Sequence, residues 1–130
     1  EEINGTMDGV LLDAPCTGLG FMAQKPDLKL RATEESLKEL TELQARLLDT
    51  VSAYVEPGGT LVYSTCSVFK EENERQAEAF LHQHPEFEEA GLPKTIPEKY
   101  RVKRGRGLQL LEYRDGLEGF YLIRMKRKYD

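Results

Sequence analysis

Apolar and polar positions along this chain follow two periods, one helical and one of short strands. Leu37, Leu40, Leu43, Leu47, Leu48, Val51 and Val55 recur at spacings of three and four, which lines them along one stripe of a helix. Thr33 suits the N-cap, and Glu34 and Glu35 fall in the first turn, where the helix dipole favours negative charge. The spacing predicts a helix over residues 33–55 that covers one face of a sheet. A second helix is predicted over residues 70–84. There Asn73, Ala77, Phe80, Leu81 and His84 share one side, Glu71, Glu72, Glu74 and Glu78 point largely outward, and Pro85 marks the end.

Around these helices lie short apolar runs. Gly9-Val10-Leu11-Leu12 is a short apolar strand, and Thr60-Leu61-Val62-Tyr63 has the apolar, β-branched and aromatic content of a buried one. Pro57-Gly58-Gly59 fits a turn that stops the first helix and feeds the second strand. Strand, helix and strand then make a right-handed parallel crossover. Leu108-Gln109-Leu110-Leu111 and Gly119-Phe120-Tyr121-Leu122-Ile123-Arg124-Met125 read as two antiparallel strands joined at Arg114-Asp115-Gly116. Residues 17–27 and 93–107 read as loops, and Pro26 disfavours helix at Lys25. The order βαβα followed by a β-hairpin is an α/β sheet with an antiparallel edge.

Composition narrows the class. A chain of 130 residues suits one domain, and that size buries roughly two thirds of the unfolded surface. Hydrophobic content of 39% and charged content of 32% describe an ordinary globular protein. No apolar run approaches the roughly 18 residues of a membrane span. The opening Glu1-Glu2-Ile3-Asn4 has neither the basic nor the apolar part of a signal peptide, so a cytoplasmic location is expected. The chain starts without methionine and enters a strand almost at once, which points to a fragment. Cys16 and Cys66 fit neither a metal site nor a disulfide framework, and both are expected as reduced thiols.

Charge is unevenly spread. The net value of −5 argues against non-specific affinity for nucleic acid. Yet residues 1–98 carry 8 basic and 19 acidic side chains, whereas residues 99–130 carry 10 basic and 4 acidic. The basic clusters Arg101, Lys103, Arg104, Arg106 and Arg124, Lys126, Arg127, Lys128 read either as solvated faces or as phosphate contacts.

Both of these strands end on a cysteine segment, Asp13-Ala14-Pro15-Cys16-Thr17-Gly18-Leu19-Gly20 and Tyr63-Ser64-Thr65-Cys66-Ser67. In open α/β sheets ligands bind in the crevice beyond the carboxyl ends of the strands. If the two strands are parallel neighbours, Asp13, Cys16 and Cys66 meet at one edge. Taken singly, each cysteine reads also as a buried small hydrophobe and Asp13 as a loop-capping carboxylate. His82 and His84 lie near the end of a helix, away from the strand ends, so a Cys-His hydrolase lacks its base, and both read as surface residues. Tyr63 and Phe120 fall within strands and read as core rather than as base-stacking platforms.

Taken together with Lys25-Pro26-Asp27-Leu28-Lys29 and Glu71-Glu72-Asn73-Glu74, these motifs resemble the RNA cytosine-C5 methyltransferases of the Sun/RsmB and NSUN family. Within it the bacterial RsmB-like small-subunit rRNA enzymes are the nearest in spacing. The resemblance spans nearly the whole chain, and it is carried by two cysteine motifs flanking a leucine-rich helix. It implies the C-terminal half of a Rossmann-like class I methyltransferase sheet. It also implies methyl transfer from S-adenosylmethionine to C5 of cytosine in RNA, with rRNA as the expected partner.

On that resemblance Cys66 is the nucleophile that bonds to C6 of the base, Cys16 breaks the adduct, and Asp13 holds N3 and the exocyclic amine close to the cofactor. A helix N-terminus near Phe69 would lower the Cys66 pKa, and Glu71, Glu72 and Glu74 would raise it if they face the site. Lys25 and Lys29 are candidate phosphate contacts. The family's Gly-rich cofactor loop does not precede Asp13. Residues 1–130 are therefore expected to be the C-terminal part of the domain, with the main cofactor loop outside this chain. Two other readings stay open: a non-catalytic interaction or scaffold module on the same fold, and a thiol redox protein that forms a Cys16–Cys66 disulfide. The outer edge of the Val10–Leu12 strand is expected to be unpaired and open to strand-edge dimerisation.

Overall fold

The computed structural model describes residues 5–16, 34–67, 69–91, 107–110 and 120–129. Their elements are β1 (Met7–Asp13), α1 (Glu34–Ser52), β2 (Val55–Thr65), α2 (Glu74–Gln83), β3 (Phe87–Glu89), β4 (Leu108–Leu110) and β5 (Phe120–Arg127). The strands join one sheet in the order β1-β2-β5-β3, with β4 also paired to β5. β1 and β2 run parallel, while β5 pairs antiparallel with β2, β3 and β4. This is the α/β sheet with an antiparallel edge that the residue pattern predicts. β3 was not legible, because three residues are too few to display an alternation.

The core follows from the register. Leu61 faces Met125, Tyr63 faces Ile123 and Thr65 faces Tyr121, so one face of β2 and β5 carries a continuous buried row. Leu48 of α1, Ala77 and Phe80 of α2, and Phe87 of β3 close over that row, with Val10 and Leu12 of β1 packed at its margin. Each such large apolar side chain contributes about 1.5–3 kcal/mol by leaving water. Phe80 anchors the α2 end, its ring 5.3 Å from that of Phe87 and 4.4 Å from that of His84.

Three local expectations are corrected. First, α1 stops at Ser52, and Val55 is a fully buried residue of β2 instead of the last residue of the helical stripe. A turn at Ala53 and Tyr54 makes the switch, and its carbonyls accept from Gly5 N–H at 2.8 Å and Met7 N–H at 2.9 Å. Second, Pro57-Gly58-Gly59 lies inside β2 as a bulge. Between the pairs Met7–Val55 and Gly9–Thr60, two steps on β1 are matched by five on β2. Gly58 takes φ +83° there, and a Cβ on Gly59 would stand 2.9 Å from the Glu56 carbonyl oxygen. Third, the helix expected from Lys70 is a turn up to Asn73, and α2 proper begins at Glu74.

The turn at 114–116, the loop around residues 17–27, the Thr33 cap and most of the 93–107 loop lie outside the described residues. Among the described residues no helix is long and apolar enough to cross a membrane.

Candidate functional site

The parallel register places Asp13 opposite Ser64 at the carboxyl ends of β1 and β2. Two bonds fasten the ends together: Ala14 N–H donates to the Ser64 carbonyl at 2.8 Å, and the Ser64 hydroxyl donates to Asp13 Oδ1 at 3.1 Å. Past this junction the chains turn so that Cys66 N–H donates to Cys16 Sγ at 3.3 Å, across 50 residues of sequence. Neither cysteine is in a disulfide and both are partly exposed, and Asp13 is exposed. Asp13, Cys16 and Cys66 thus meet at one sheet edge, an acceptor-only carboxylate beside two sulfur nucleophiles.

The segment around Cys66 is held from both sides. Thr65 Oγ1 accepts from Ser67 N–H at 3.2 Å and donates to Asn73 Oδ1 at 2.5 Å, while Asn73 Nδ2 donates to the Ser67 carbonyl at 2.8 Å. Phe69 N–H donates to Ser67 Oγ at 3.1 Å. Asn73 stands at the N-cap of α2 yet makes no side-chain cap bond, because its amide serves the cysteine loop instead. A helix N-terminus at Phe69, expected to act on Cys66, is therefore not there.

Beneath the loop lies a buried polar cluster that the sequence pattern did not reveal. Glu72, expected to point outward, has no exposed surface. Ser67 Oγ donates to its Oε2, and Gln44 Nε2 donates to its Oε1 at 3.1 Å. The same Gln44 Nε2 lies 2.8 Å from the Pro15 carbonyl, next to Cys16. Gln76 Nε2 donates to Gln44 Oε1 at 3.2 Å and to the Thr41 carbonyl at 2.7 Å. Tyr63 completes the cluster with its hydroxyl 2.6 Å from the Glu72 carbonyl oxygen. Burial first, then the charges of Glu72 and Cys16, push the Tyr63 hydroxyl far above its ordinary pKa, so it stays a neutral donor. One signal for this cluster was present: Gln44 sits midway between Leu40 and Leu48 on the apolar stripe, and a polar residue at the centre of a buried face needs buried partners.

The other candidates separate from this edge. His82 is exposed, while His84 is only 22% exposed at its side chain and pairs through Nε2 with Asp49 at 2.8 Å. Tyr63 is core, as expected, and Phe120 is half-buried. Of the second basic cluster, Arg124 donates to the Gly91 carbonyl at 3.1 Å and Arg127 to the Val55 carbonyl at 2.5 Å, so both guanidinium groups serve the fold. Lys126 lies 5.6 Å from the centre of the Tyr129 ring. Lys25, Lys29, Arg101, Lys103, Arg104 and Arg106 lie outside the described residues.

Comparison with known proteins gives concordant matches. The profile of the 16S rRNA methyltransferase RsmB/F family matches residues 1–126. The probable ribosomal RNA small subunit methyltransferase B of Bacillus subtilis is 41% identical over 128 residues, which is 96% of this chain and 28% of that protein. The ribosomal RNA small subunit methyltransferase B of Thermus thermophilus is 41% identical over 118 residues, 91% of this chain and 29% of that protein. The crystal structure of the protein PH0851 superposes with a TM-score of 0.85 at 35% identity, covering 95% of this chain and 27% of that one. The chain thus spans under a third of the length of these relatives.

Proposed function

This chain belongs to the RsmB/F family of 16S rRNA methyltransferases, and on that premise we propose that its sheet edge carries out methyl transfer to C5 of a cytosine in RNA, with rRNA as substrate. The observation that carries the reading is the 3.3 Å contact between Cys66 N–H and Cys16 Sγ beside Asp13. It joins the Cys66 backbone to the Cys16 sulfur at the strand ends where Ser64 holds Asp13, which supports a reading in which two thiols and a carboxylate act on one planar base. Carbon 5 of cytosine is too electron-poor to attack an electrophilic methyl group unaided. A thiolate that adds to C6 pushes the C5=C6 electron pair onto C5, dividing one hard step into two easier ones.

In this reading Cys66 forms the bond to C6. Asp13 is fixed on one oxygen by Ser64 and accepts from the exocyclic amine N–H of the base, and from N3–H once a solvent proton neutralises the charge that builds on N3 as C6 is attacked. Cys16 acts as the base that removes the C5 proton; the electron pair of that C–H bond re-forms C5=C6, the S–C6 bond breaks, and Cys66 leaves as thiolate. S-adenosylmethionine, when bound, supplies the methyl group as a sulfonium. An exposed carboxylate at the carboxyl end of a parallel strand suits such a cationic ligand, and Asp13 is the residue of this chain that would border it.

The test uses the intact protein with S-adenosylmethionine and RNA. Cys66→Ala is expected to lower 5-methylcytosine formation by at least about a thousandfold. Cys16→Ala is expected to accumulate a protein–RNA adduct that survives denaturant. Normal 5-methylcytosine formation by Cys66→Ala would overturn the reading.

A further inference from the structure

The two cysteine loops have no covalent link and leave different strands, yet their sulfur and backbone atoms meet at 3.3 Å. What sets that separation lies below the surface. Glu72 has one carboxylate oxygen on each loop's tether. Oε2 accepts from Ser67, the residue after Cys66, and Oε1 accepts from Gln44, whose same amide nitrogen holds the carbonyl of Pro15, the residue before Cys16. Glu72, Ser67 and Gln44 are all fully buried. A buried carboxylate is costly unless its lone pairs are filled, so the site needs a strong reason to keep one there. An apolar residue would pack on this face of α1 without tying either loop.

We propose that Glu72 is a positioning residue that sets the spacing between Cys16 and Cys66 by clamping both loops to one rigid point. The carboxylate suits this because it is acceptor-only and offers two oxygens about 2.2 Å apart, so it takes a hydroxyl and an amide N–H at once. An amide side chain presents a single acceptor oxygen, so its nitrogen can meet Ser67 only by donating to Oγ, which reverses that bond and replaces a charge-assisted contact with a neutral one. Gln76 holds the Gln44 amide in the correct sense by donating to its oxygen, which leaves the nitrogen for Pro15 and Glu72. Tyr63 fixes the Glu72 main chain from the sheet side. Glu72 touches neither reacting sulfur in any of these contacts; it acts through Ser67 and Gln44. The assignment rests on the methyl-transfer reading for its consequence in turnover, while the spacing itself is measurable without it.

The spacing is read with dibromobimane, which becomes fluorescent only when both of its arms have alkylated thiols, followed by peptide mass spectrometry to locate the bridge. In the intact protein without RNA, Cys16 and Cys66 are expected to bridge readily. Glu72→Gln keeps the volume and is expected to slow bridging roughly tenfold, with each thiol still accessible to iodoacetamide, and to lower kcat by 10- to roughly 100-fold with KM for RNA within about twofold. Combined with Gln44→Leu it should be no worse than the more severe single variant, because both act through one network. A purely structural role would lower thermal stability and leave the bridging rate of the folded fraction unchanged. Bridging by folded Glu72→Gln at the wild-type rate overturns the assignment. If the wild-type protein bridges but forms no 5-methylcytosine, the methyl-transfer reading fails and the spacing role stands. If Glu72→Gln forms 5-methylcytosine normally but bridges slowly, the clamp exists without serving turnover, and its catalytic consequence is overturned.

Discussion

Tyr63 shows how far one buried hydroxyl reaches. It has no exposed surface, donates to the Glu72 carbonyl at 2.6 Å, and is held neutral by burial and by the neighbouring negative charge. Its pKa in the native state lies above the unfolded value of about 10, so the native state keeps a proton that the unfolded chain releases. The associated stability is full below about pH 10 and declines above it by roughly 1.4 kcal/mol per pH unit, until the native hydroxyl itself ionises. Tyr63→Phe removes the hydrogen bond and should cost about 1–2 kcal/mol at neutral pH. It should also remove this alkaline loss, so the two unfolding curves converge between about pH 10.7 and 11.5. Calorimetric Tm values across that range check it, since the other tyrosines are common to both proteins. At this scale the sequence displayed Asp13, Cys16, Cys66 and the core position of Tyr63, because each follows from where a strand ends or alternates. It hid Glu72, because the surrounding acidic run has the look of a solvated helix face, and only the turn at Phe69–Asn73 rotates this one carboxylate inward.

At the level of elements, two features carry costs that periodicity alone misstates. The β2 bulge is one. A Cβ on Gly59 would meet the Glu56 carbonyl oxygen and Val55 Cγ1 at 2.9 Å and the Met7 carbonyl oxygen at 3.1 Å, within the β1–β2 ladder. Gly59→Ala should therefore destabilise by about 2–3 kcal/mol. Gly58→Ala meets positive φ and the ring of Tyr129, but that ring is 76% exposed and can swing aside, so about 1–2 kcal/mol is expected. Urea titration ranks the pair, and equal loss would mean that the bulge yields more easily than its backbone contacts imply. The other feature is the polar centre of the α1 stripe. Gln44→Leu completes an apolar row, yet it removes the amide that meets the Pro15 carbonyl and Glu72 Oε1 and leaves Gln76 Nε2 with its Thr41 bond alone, and should cost about 2–4 kcal/mol in the same assay. Helix and strand identities were legible because α1 and β2 are long and regular. Their boundaries were not: Pro-Gly-Gly serves a tight turn and a bulge equally well, and only pairing with β1 selects the bulge.

Across the whole molecule, the described helices pack on one sheet face, where Leu61, Tyr63, Tyr121, Ile123 and Met125 are buried. β1 is exposed at five of its seven residues. Among the described residues β1 pairs only with β2 and ends the sheet, and Leu11 on it is 68% exposed. An uncovered edge strand that carries an exposed leucine is a template for adding another strand. We expect the 130-residue polypeptide on its own to associate through this edge as concentration rises. A charge at the rim opposes such pairing, so Leu11→Lys should weaken association by about tenfold with little change in Tm, since the leucine leaves almost as much surface in water when folded as when unfolded. Sedimentation velocity over a concentration series measures both proteins. If wild type stays monomeric at high concentration, the edge is closed by something other than a second copy; if Leu11→Lys associates as strongly as wild type, contact runs through another surface. The same edge bears on the chemistry. Asp13 is the last residue of β1, so a strand added along this rim would lie beside the carboxylate on which recognition of the base is proposed to depend. Dimerisation of the isolated chain should therefore lower the rate at which a water-soluble carbodiimide labels Asp13, and Leu11→Lys should restore it.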